Sequence, residues 1–203
     1  MKNKFWIPIV FAILMWVIFI LQVILKLDLS GLGIHPRDTS SLIGIITAPL
    51  IHGNWEHLLS NTLPLIILGL LLFFSYPKIA LKIWILNYCI TDVLVWIFAR
   101  TNAYHIGASG IIYGLASFLL CSGFIRMNIS AIAIASGVAL FYGGMVWGIL
   151  PIQPNVSWES HLIGGITGAI LAVIFRKNKM DKTEQNDILW EDKRKTFNDF
   201  INQ

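Results

Sequence analysis

Charged side chains are scarce in this chain. They make up 13% of its 203 residues, about half of the share that is usual in soluble domains. Hydrophobic residues make up 56% of the chain and fall in runs of about 20, the length that spans a hydrocarbon core about 30 Å thick. This composition excludes an ordinary soluble domain and indicates a polytopic membrane protein. The formal charge of +4 therefore concerns membrane topology and lipid headgroups, and it does not favour nucleic acid as a partner.

The chain is also poor in cysteine. It has only Cys89 and Cys121, and both lie inside apolar runs. Two thiols in such places exclude a disulfide framework and a cysteine-rich metal site. They are typical of small residues that pack in a core. The sequence indicates no metal and no other cofactor.

The apolar runs predict six membrane-spanning helices. They cover about residues 5–25 and 55–76, a stretch that follows Lys78 and Lys82 and ends near residue 99, and about residues 109–125, 129–150 and 158–175. Asn54 and Ser157 are predicted N-caps of the second and sixth helices. Between the first two helices, the apolar segment 42–51 is too short to span. We expect it to lie at the membrane interface or to dip partly into the membrane.

The positive charges predict the orientation of these helices. With the N-terminus inside, the inner segments hold most of the Lys and Arg residues, and the outer loops hold only Lys26, Arg37 and Arg100. The positive-inside rule then places both termini in the cytoplasm. We predict a membrane domain over residues 1–176 and a charged cytoplasmic tail over residues 177–203. We expect a solvated tail, and an amphipathic helix on the membrane surface is the alternative.

Three of the predicted helices begin on the outer side, and each carries polar residues near that end. His57 and Asn61 lie in the first two turns of the second helix, Ser109 heads the fourth, and His161 lies in the first turn of the sixth. Polar groups inside a membrane are costly and usually mark a functional site or a water-filled cavity. Their common depth predicts such a site near the outer surface.

Glycine pairs indicate which of these helices touch. Gly110 and Gly114 lie four residues apart on the fourth helix, and Gly164 and Gly168 have the same spacing on the sixth. Small residues at this spacing allow membrane helices to pack closely. We therefore expect the fourth and sixth helices to be in contact next to Ser109.

Such a contact would bring a serine hydroxyl to an imidazole. His161 can deprotonate Ser109 if a ring nitrogen comes within about 3 Å of the hydroxyl. Tyr113 lies four residues after Ser109 on the same helix face, and its ring could hold His161 in place as an aspartate does in a soluble triad. Asp92, in the third helix, is another candidate for that role, and it is equally well interpreted as a buried structural acid.

Donors for a developing oxyanion are also available. His57 and Asn61 lie four apart on one helix face, and the backbone N–H of Ser109, at a helix start, has no intrahelical partner. Together they could form an oxyanion hole. Simpler explanations stay open: a G-x-S-G motif can serve helix packing, and Asn61 can join two helices. His52, just before the second helix, is better interpreted as a residue that pins the loop.

Three motifs together resemble those of the rhomboid intramembrane serine proteases. They are His52-Gly-Asn-Trp-Glu-His57-Leu-Leu-Ser-Asn61, Gly107-Ala-Ser109-Gly110 with Tyr113, and Ser160-His161-Leu-Ile-Gly164 with Gly168. Their spacings occur in the family's order and on its helices, and the resemblance covers roughly residues 5–175. It implies an all-α, rhomboid-like bundle of six transmembrane helices with a Ser-His dyad that opens to the outer side.

The resemblance also implies roles for individual residues. Ser109 would be the nucleophile and His161 the general base, with Tyr113 stacked on its ring. The oxyanion hole would consist of His57, Asn61 and Ser109, and the fold would be supported by His52, Gly107, Gly110, Gly164 and Gly168. The implied substrates are single-span membrane proteins in the bilayer of a bacterial cytoplasmic membrane. They would be cut near the outer face after a small residue, without a cofactor.

The chain departs from the family in its first loop. Many members carry a Trp-Arg pair a few residues before the first motif histidine, where this chain has Ile43-Gly44, and the nearest arginine here is Arg37. The departure leaves open how this loop packs and how substrates approach. Two alternatives to a protease stay open as well. One is a catalytically inactive rhomboid-like scaffold that binds membrane proteins, and the other is a redox or transport protein with histidine ligands. The oligomeric state is not indicated by the sequence.

Overall fold

The computed structural model describes residues 4–152 and 156–178, and in those ranges the chain is helical, without a β-strand. Seven α-helices follow one another there. They are α1 (Trp6–Leu25), α2 (Gly44–Thr47), α3 (Trp55–Ser75), α4 (Ala80–Phe98), α5 (Ser109–Arg126), α6 (Ile129–Tyr142) and α7 (Trp158–Ile174). Most of the predicted tail lies outside the described residues, so the boundary between membrane domain and tail stays a prediction.

The long helices have the lengths that a membrane requires. Four of them, α1, α3, α4 and α5, have 18 to 21 residues, and α6 continues as a 3-10 helix over Gly143–Ile149 to make a fifth apolar segment of 21 residues. The sixth, α7, has 17 residues and is about 26 Å long at 1.5 Å per residue, at the short end of the range for a transmembrane helix. The predicted all-α bundle of six long helices is confirmed, and α2 is an additional short helix.

The two predicted N-caps behave differently. Asn54 caps α3, because its side-chain oxygen accepts a hydrogen bond from the His57 backbone N–H at 2.8 Å. Ser157 occupies the N-cap position of α7, but its side chain caps no backbone N–H of that helix. The predicted N-cap position of Ser157 is therefore confirmed, but its hydroxyl bonds to other side chains instead of a backbone N–H.

The first loop packs against α4 without the Trp-Arg pair. Arg37 donates from Nη1 to the Ile97 carbonyl at 2.8 Å, and Tyr88 Oη donates to the Ile46 carbonyl. The side chain of Ile46, in α2, is exposed. An apolar segment that is too short to span and leaves this side chain exposed fits the predicted position at the membrane interface, which stays a prediction.

Helix α5 lies at the centre of the bundle and packs against α3, α4, α6 and α7. Its apolar side chains join the main core, among them Ile111, Leu115 and Phe118. Toward α4, the buried Asn87 donates from Nδ2 to the Ile111 carbonyl at 2.9 Å. The helix that begins with Ser109 is therefore surrounded by other helices and fixed on several sides.

Helices α5 and α7 touch through their backbones. A Cβ atom added to Gly164 would overlap the carbonyl oxygen of Gly110, and one added to Gly168 would overlap that of Gly114. Only glycine fits at such positions, and this is the close approach that paired small residues allow in membrane helices. Gly165, on the other side of α7, faces open space, with nothing within 4 Å of an added Cβ.

We predict that Gly168→Ala destabilises the protein by about 1–3 kcal/mol, because the added methyl group must push two backbones apart. Gly165→Ala is the matched control on the same helix and should be neutral or stabilising by up to about 1 kcal/mol, since alanine favours a helix more than glycine does. Thermal unfolding in detergent measures both. Equal melting temperatures for the two variants would contradict a backbone contact between α5 and α7.

Candidate active site

A glycine turn places Ser109 at the start of α5. Gly107 has φ of +101°, a backbone conformation that other residues rarely adopt, and its N–H donates to the Ala48 carbonyl at 2.8 Å. A Cβ atom on Gly107 would lie 2.5 Å from His57 Nε2. Glycine is thus required at this position for two reasons: the turn needs its backbone conformation, and a side chain would overlap the His57 imidazole. Ser109 follows as the first residue of α5.

The structure brings Ser109 and His161 together. His161 Nε2 lies 2.8 Å from Ser109 Oγ, and His161 Nδ1 lies 2.8 Å from the Gly148 carbonyl oxygen. A carbonyl oxygen only accepts hydrogen bonds, so Nδ1 carries the proton of the neutral ring and donates it to Gly148. Nε2 is then unprotonated and accepts the hydrogen bond of the Ser109 hydroxyl. This is the arrangement that a general base requires.

Tyr113 holds the face of the imidazole. Its ring stacks on that of His161 with centroids 4.2 Å apart and planes 6° from parallel, and its hydroxyl donates to the Met145 carbonyl at 2.7 Å. A side chain on Gly148 would collide with the Tyr113 hydroxyl. The 3-10 helix Gly143–Ile149 therefore fixes Tyr113 by one carbonyl and His161 by another.

The sequence reasoning missed this 3-10 helix as part of the site. Met145 and Gly148 act through backbone carbonyls, which carry no side-chain signature. The available signal was glycine density: three glycines fall within six residues at Gly143, Gly144 and Gly148, where a membrane helix would normally continue. Such a cluster indicates a break in the helix and a close approach of backbone to other groups.

The two side chains predicted for the oxyanion hole lie on the same side of the bundle as Ser109. His57 borders the turn at Gly107. Asn61, one helical turn further along α3, is 3% exposed and donates from Nδ2 to the His57 carbonyl at 2.7 Å. An amide nitrogen has two protons, so this bond leaves one proton of Asn61 for another acceptor.

His52 is buried behind His57. It is 0% exposed, and the two rings meet edge to face with centroids 4.9 Å apart. Its backbone carbonyl accepts a hydrogen bond from Gln22 of α1 at 3.3 Å. Burial, together with a smaller effect of the neighbouring His57, lowers the pKa of His52 to about 3. His52 is placed to support His57 and the loop rather than to exchange protons.

Asp92 is not joined to His161. The carboxyl group lies buried in α4, and the position beside His161 Nδ1 that a triad carboxylate would take is occupied by the Gly148 carbonyl. Of the two interpretations left open for Asp92, the geometry favours the structural one. Within residues 4–152 and 156–178, no three His, Cys, Asp or Glu side chains are grouped so that they could hold a metal ion.

We predict that the stability of the protein falls as the pH drops below about 6.5, the pKa of histidine in an unfolded chain. The unfolded state binds a proton at His52 there, whereas the folded state, with the pKa of His52 at about 3, does not. Unfolding is thus favoured increasingly from about pH 6.5 downward.

Melting temperatures in detergent at pH 8 and pH 5 measure this loss. His52→Phe keeps an aromatic ring at this position but cannot bind a proton. The melting temperature of this variant should fall less between the two pH values than that of the wild type. Identical pH dependence in wild type and His52→Phe would contradict the prediction.

Comparisons with known proteins agree with the resemblance. A family model described as Rhomboid domain matches residues 39–178. An uncharacterized protein of Mycobacterium tuberculosis is 35% identical over 161 residues, which are 73% of this chain and 65% of that protein. An uncharacterized protein of Mycobacterium leprae is 32% identical over 181 residues, 81% of this chain and 68% of that protein. A putative rhomboid protein of Acanthamoeba polyphaga mimivirus is 27% identical over 145 residues, 68% of this chain and 78% of that protein.

The chain spans about two thirds, 65%, of the length of the M. tuberculosis relative. The family match includes α3 to α7 and with them all of the site residues described above. The apolar helices and this match together make the protein an integral membrane protein. The chain belongs to the rhomboid family.

Proposed function

We propose that this protein is an intramembrane serine endopeptidase that cleaves transmembrane segments of other membrane proteins. The hydrogen bond between Ser109 and His161 is the observation that carries the proposal. It joins two residues 52 positions apart in the chain, with the imidazole in the tautomer that accepts the hydroxyl proton. An inactive scaffold of the same fold would have no need for this tautomer or for a Gly107 turn that aims the serine.

The residues present account for each step of peptide hydrolysis. His161 Nε2 takes the proton of Ser109 as Oγ attacks the scissile carbonyl, and the N–H of Ser109, with His57 and Asn61, stabilises the oxyanion. His161 then gives the proton to the leaving amine, which departs and leaves an ester on Ser109. Water, deprotonated by His161, attacks this ester, and the acid product leaves as Ser109 regains its proton.

The proposed topology sets the place of cleavage. Helices α3, α5 and α7 begin at the same end of the bundle, and the positive-inside rule places that end at the outer surface, with both termini in the cytoplasm. Substrates would be single-span proteins in the same bilayer, cut near its outer face after a small residue. A bacterial cytoplasmic membrane is the proposed location.

We expect Ser109→Ala and His161→Ala each to reduce cleavage of a single-span substrate in liposomes by about 10⁴-fold or more, because nucleophile and base act as one unit. Ser117→Ala, which removes a hydroxyl from the middle of α5 whose neighbour is Cys121, is the control and should cleave normally. A fluorophosphonate probe should label wild type at Ser109 and fail to label Ser109→Ala. Cleavage that survives in Ser109→Ala, or a wild type that neither cleaves nor reacts with the probe, would refute the proposal.

We expect Asn61→Ala to lower kcat by about 10²- to 10³-fold with little change in KM, the usual effect of losing one oxyanion donor. Ser60→Ala is a closely matched control, since Ser60 also donates to the His57 carbonyl, at 3.0 Å, but lies on the exposed face of α3. It should keep the wild-type kcat. If both variants lose activity equally, Asn61 acts by holding the helix and not as an oxyanion donor.

A further inference from the structure

A second contact between a serine and a histidine lies beside that of Ser109 and His161. In this one the histidine belongs to the α5 side and the serine to the α7 side, the reverse of the first contact. His105, in the loop before α5, hydrogen-bonds through Nδ1 to Ser157 Oγ, at the start of α7. Both pairs are separated by 52 residues, because His105 precedes Ser109 by four residues and Ser157 precedes His161 by four. The two contacts therefore follow each other along the parallel segments that lead into α5 and α7.

His105 is fixed independently of α7. It is 3% exposed, and its backbone exchanges hydrogen bonds with Ile34 in both directions, at 2.9 and 2.8 Å. Its Nε2 lies 3.1 Å from the Arg100 carbonyl, which can only accept, so the ring proton is on Nε2 and Nδ1 accepts from Ser157. Burial lowers the pKa of His105, and the ring stays neutral and able to accept near neutral pH.

The Ser157 hydroxyl is used for this contact in place of a helix cap. A serine at the N-cap normally accepts a hydrogen bond from a backbone N–H of its own helix, and Ser157 does not. Its oxygen lies 2.7 Å from Ser160 Oγ. Because the proton of Ser157 goes to His105, Ser157 Oγ accepts the hydrogen bond of the Ser160 hydroxyl. The hydrogen bonds therefore form one chain, which runs from Ser160 to Ser157, then to His105 and finally to the Arg100 carbonyl.

The side chain of Arg100 ties the same two segments together. Its Nη2 donates to the Val156 carbonyl at 2.8 Å, and its Nε lies 3.4 Å from a carboxylate oxygen of Glu159. The loop before α5 thus holds residues on both sides of Ser157, just before His161. We call the hydrogen bond between His105 and Ser157, together with the contacts of Arg100, the outer clamp.

The glycine contacts deeper in the bundle are not the contacts that fix the rotation of the first turn of α7. The contacts of Gly164 and Gly168 set how close α7 comes to α5, but they lie about one and two helical turns beyond His161 along α7. A rotation of α7 by about 20° moves an atom about 5 Å from its axis by nearly 2 Å. A misplacement of about 1 Å at a reacting group can lower a rate by about 10²-fold.

We propose that His105 is a positioning residue for the reaction. Through Ser157 it fixes the rotation of the first turn of α7 and so keeps His161 Nε2 within hydrogen-bond reach of Ser109. This inference rests on the proposed function for its kinetic consequences, whereas the position of His161 can be measured without any activity.

The kinetic test compares Ser157→Ala, His105→Phe and the double variant with the wild type on a single-span substrate in liposomes. We expect each single variant to lower kcat about tenfold or more with KM unchanged, because substrate contacts stay intact. The double variant should fall no further than the worse single variant, since both remove one hydrogen bond. Ser157→Thr, which keeps a hydroxyl, should restore kcat, and Ser117→Ala should not change it.

The second test observes His161 directly by ¹⁵N NMR of histidine-labelled protein in detergent, with signals assigned through single histidine variants. In Ser157→Ala, the Nε2 signal of His161 should move toward its position in Ser109→Ala, where the hydrogen bond is absent. Ser117→Ala should leave it unchanged. If Ser157→Ala keeps the wild-type Nε2 signal, or keeps the wild-type kcat, the outer clamp does not position His161.

The two readouts separate the two proposals. A wild type that shows neither cleavage nor fluorophosphonate labelling removes the proposed function, and the NMR signal then still decides whether the outer clamp orients His161. Loss of kcat in Ser157→Ala without rescue by Ser157→Thr, together with a lower melting temperature, would assign Ser157 a structural role only and would overturn the inference.

Discussion

The direct contact between the backbones of α5 and α7 is the constraint on which the rest of the structure depends. Gly164 and Gly168 lie against carbonyl oxygens of α5, so at these two points the backbones meet without a side chain between them. Small residues let helices approach more closely than larger side chains allow. Because each helix begins at the same end of the bundle, a serine at the start of one and a histidine in the first turn of the other share a hydrogen bond.

The helices set the distance between these groups, and the connecting segments set their orientation. The 3-10 helix Gly143–Ile149 holds Tyr113 and the Nδ1 side of His161 through carbonyl oxygens. The loop before α5 contributes the Gly107 turn and, through His105, a contact to the start of α7. A site near one end of a helical bundle can thus be built from two packed helices and backbone groups at the ends of neighbouring segments.

The sequence was informative where a side chain carries its own chemistry. Long apolar runs predicted the six helices because lipid imposes a minimum length, and the spacing of Ser109, His161 and the glycine pairs predicted which helices meet. The sequence was uninformative where backbone atoms act, as at Gly148 and Met145. Ser157 was predicted to be the N-cap of the helix that follows it, because a helix cap is a local sequence pattern. Its actual partner, His105, is 52 residues away, and no local pattern records such a contact.

The group beside Nδ1 of His161 is the uncharged carbonyl of Gly148. An ionised carboxylate in that place would have to be maintained at membrane depth, where an isolated charge is expensive. The carbonyl avoids that penalty but stabilises an imidazolium less than an anion would. For the proposed protease, the consequence would be a dyad that carries no charge at rest and a higher barrier than an ionised carboxylate beside the histidine would give.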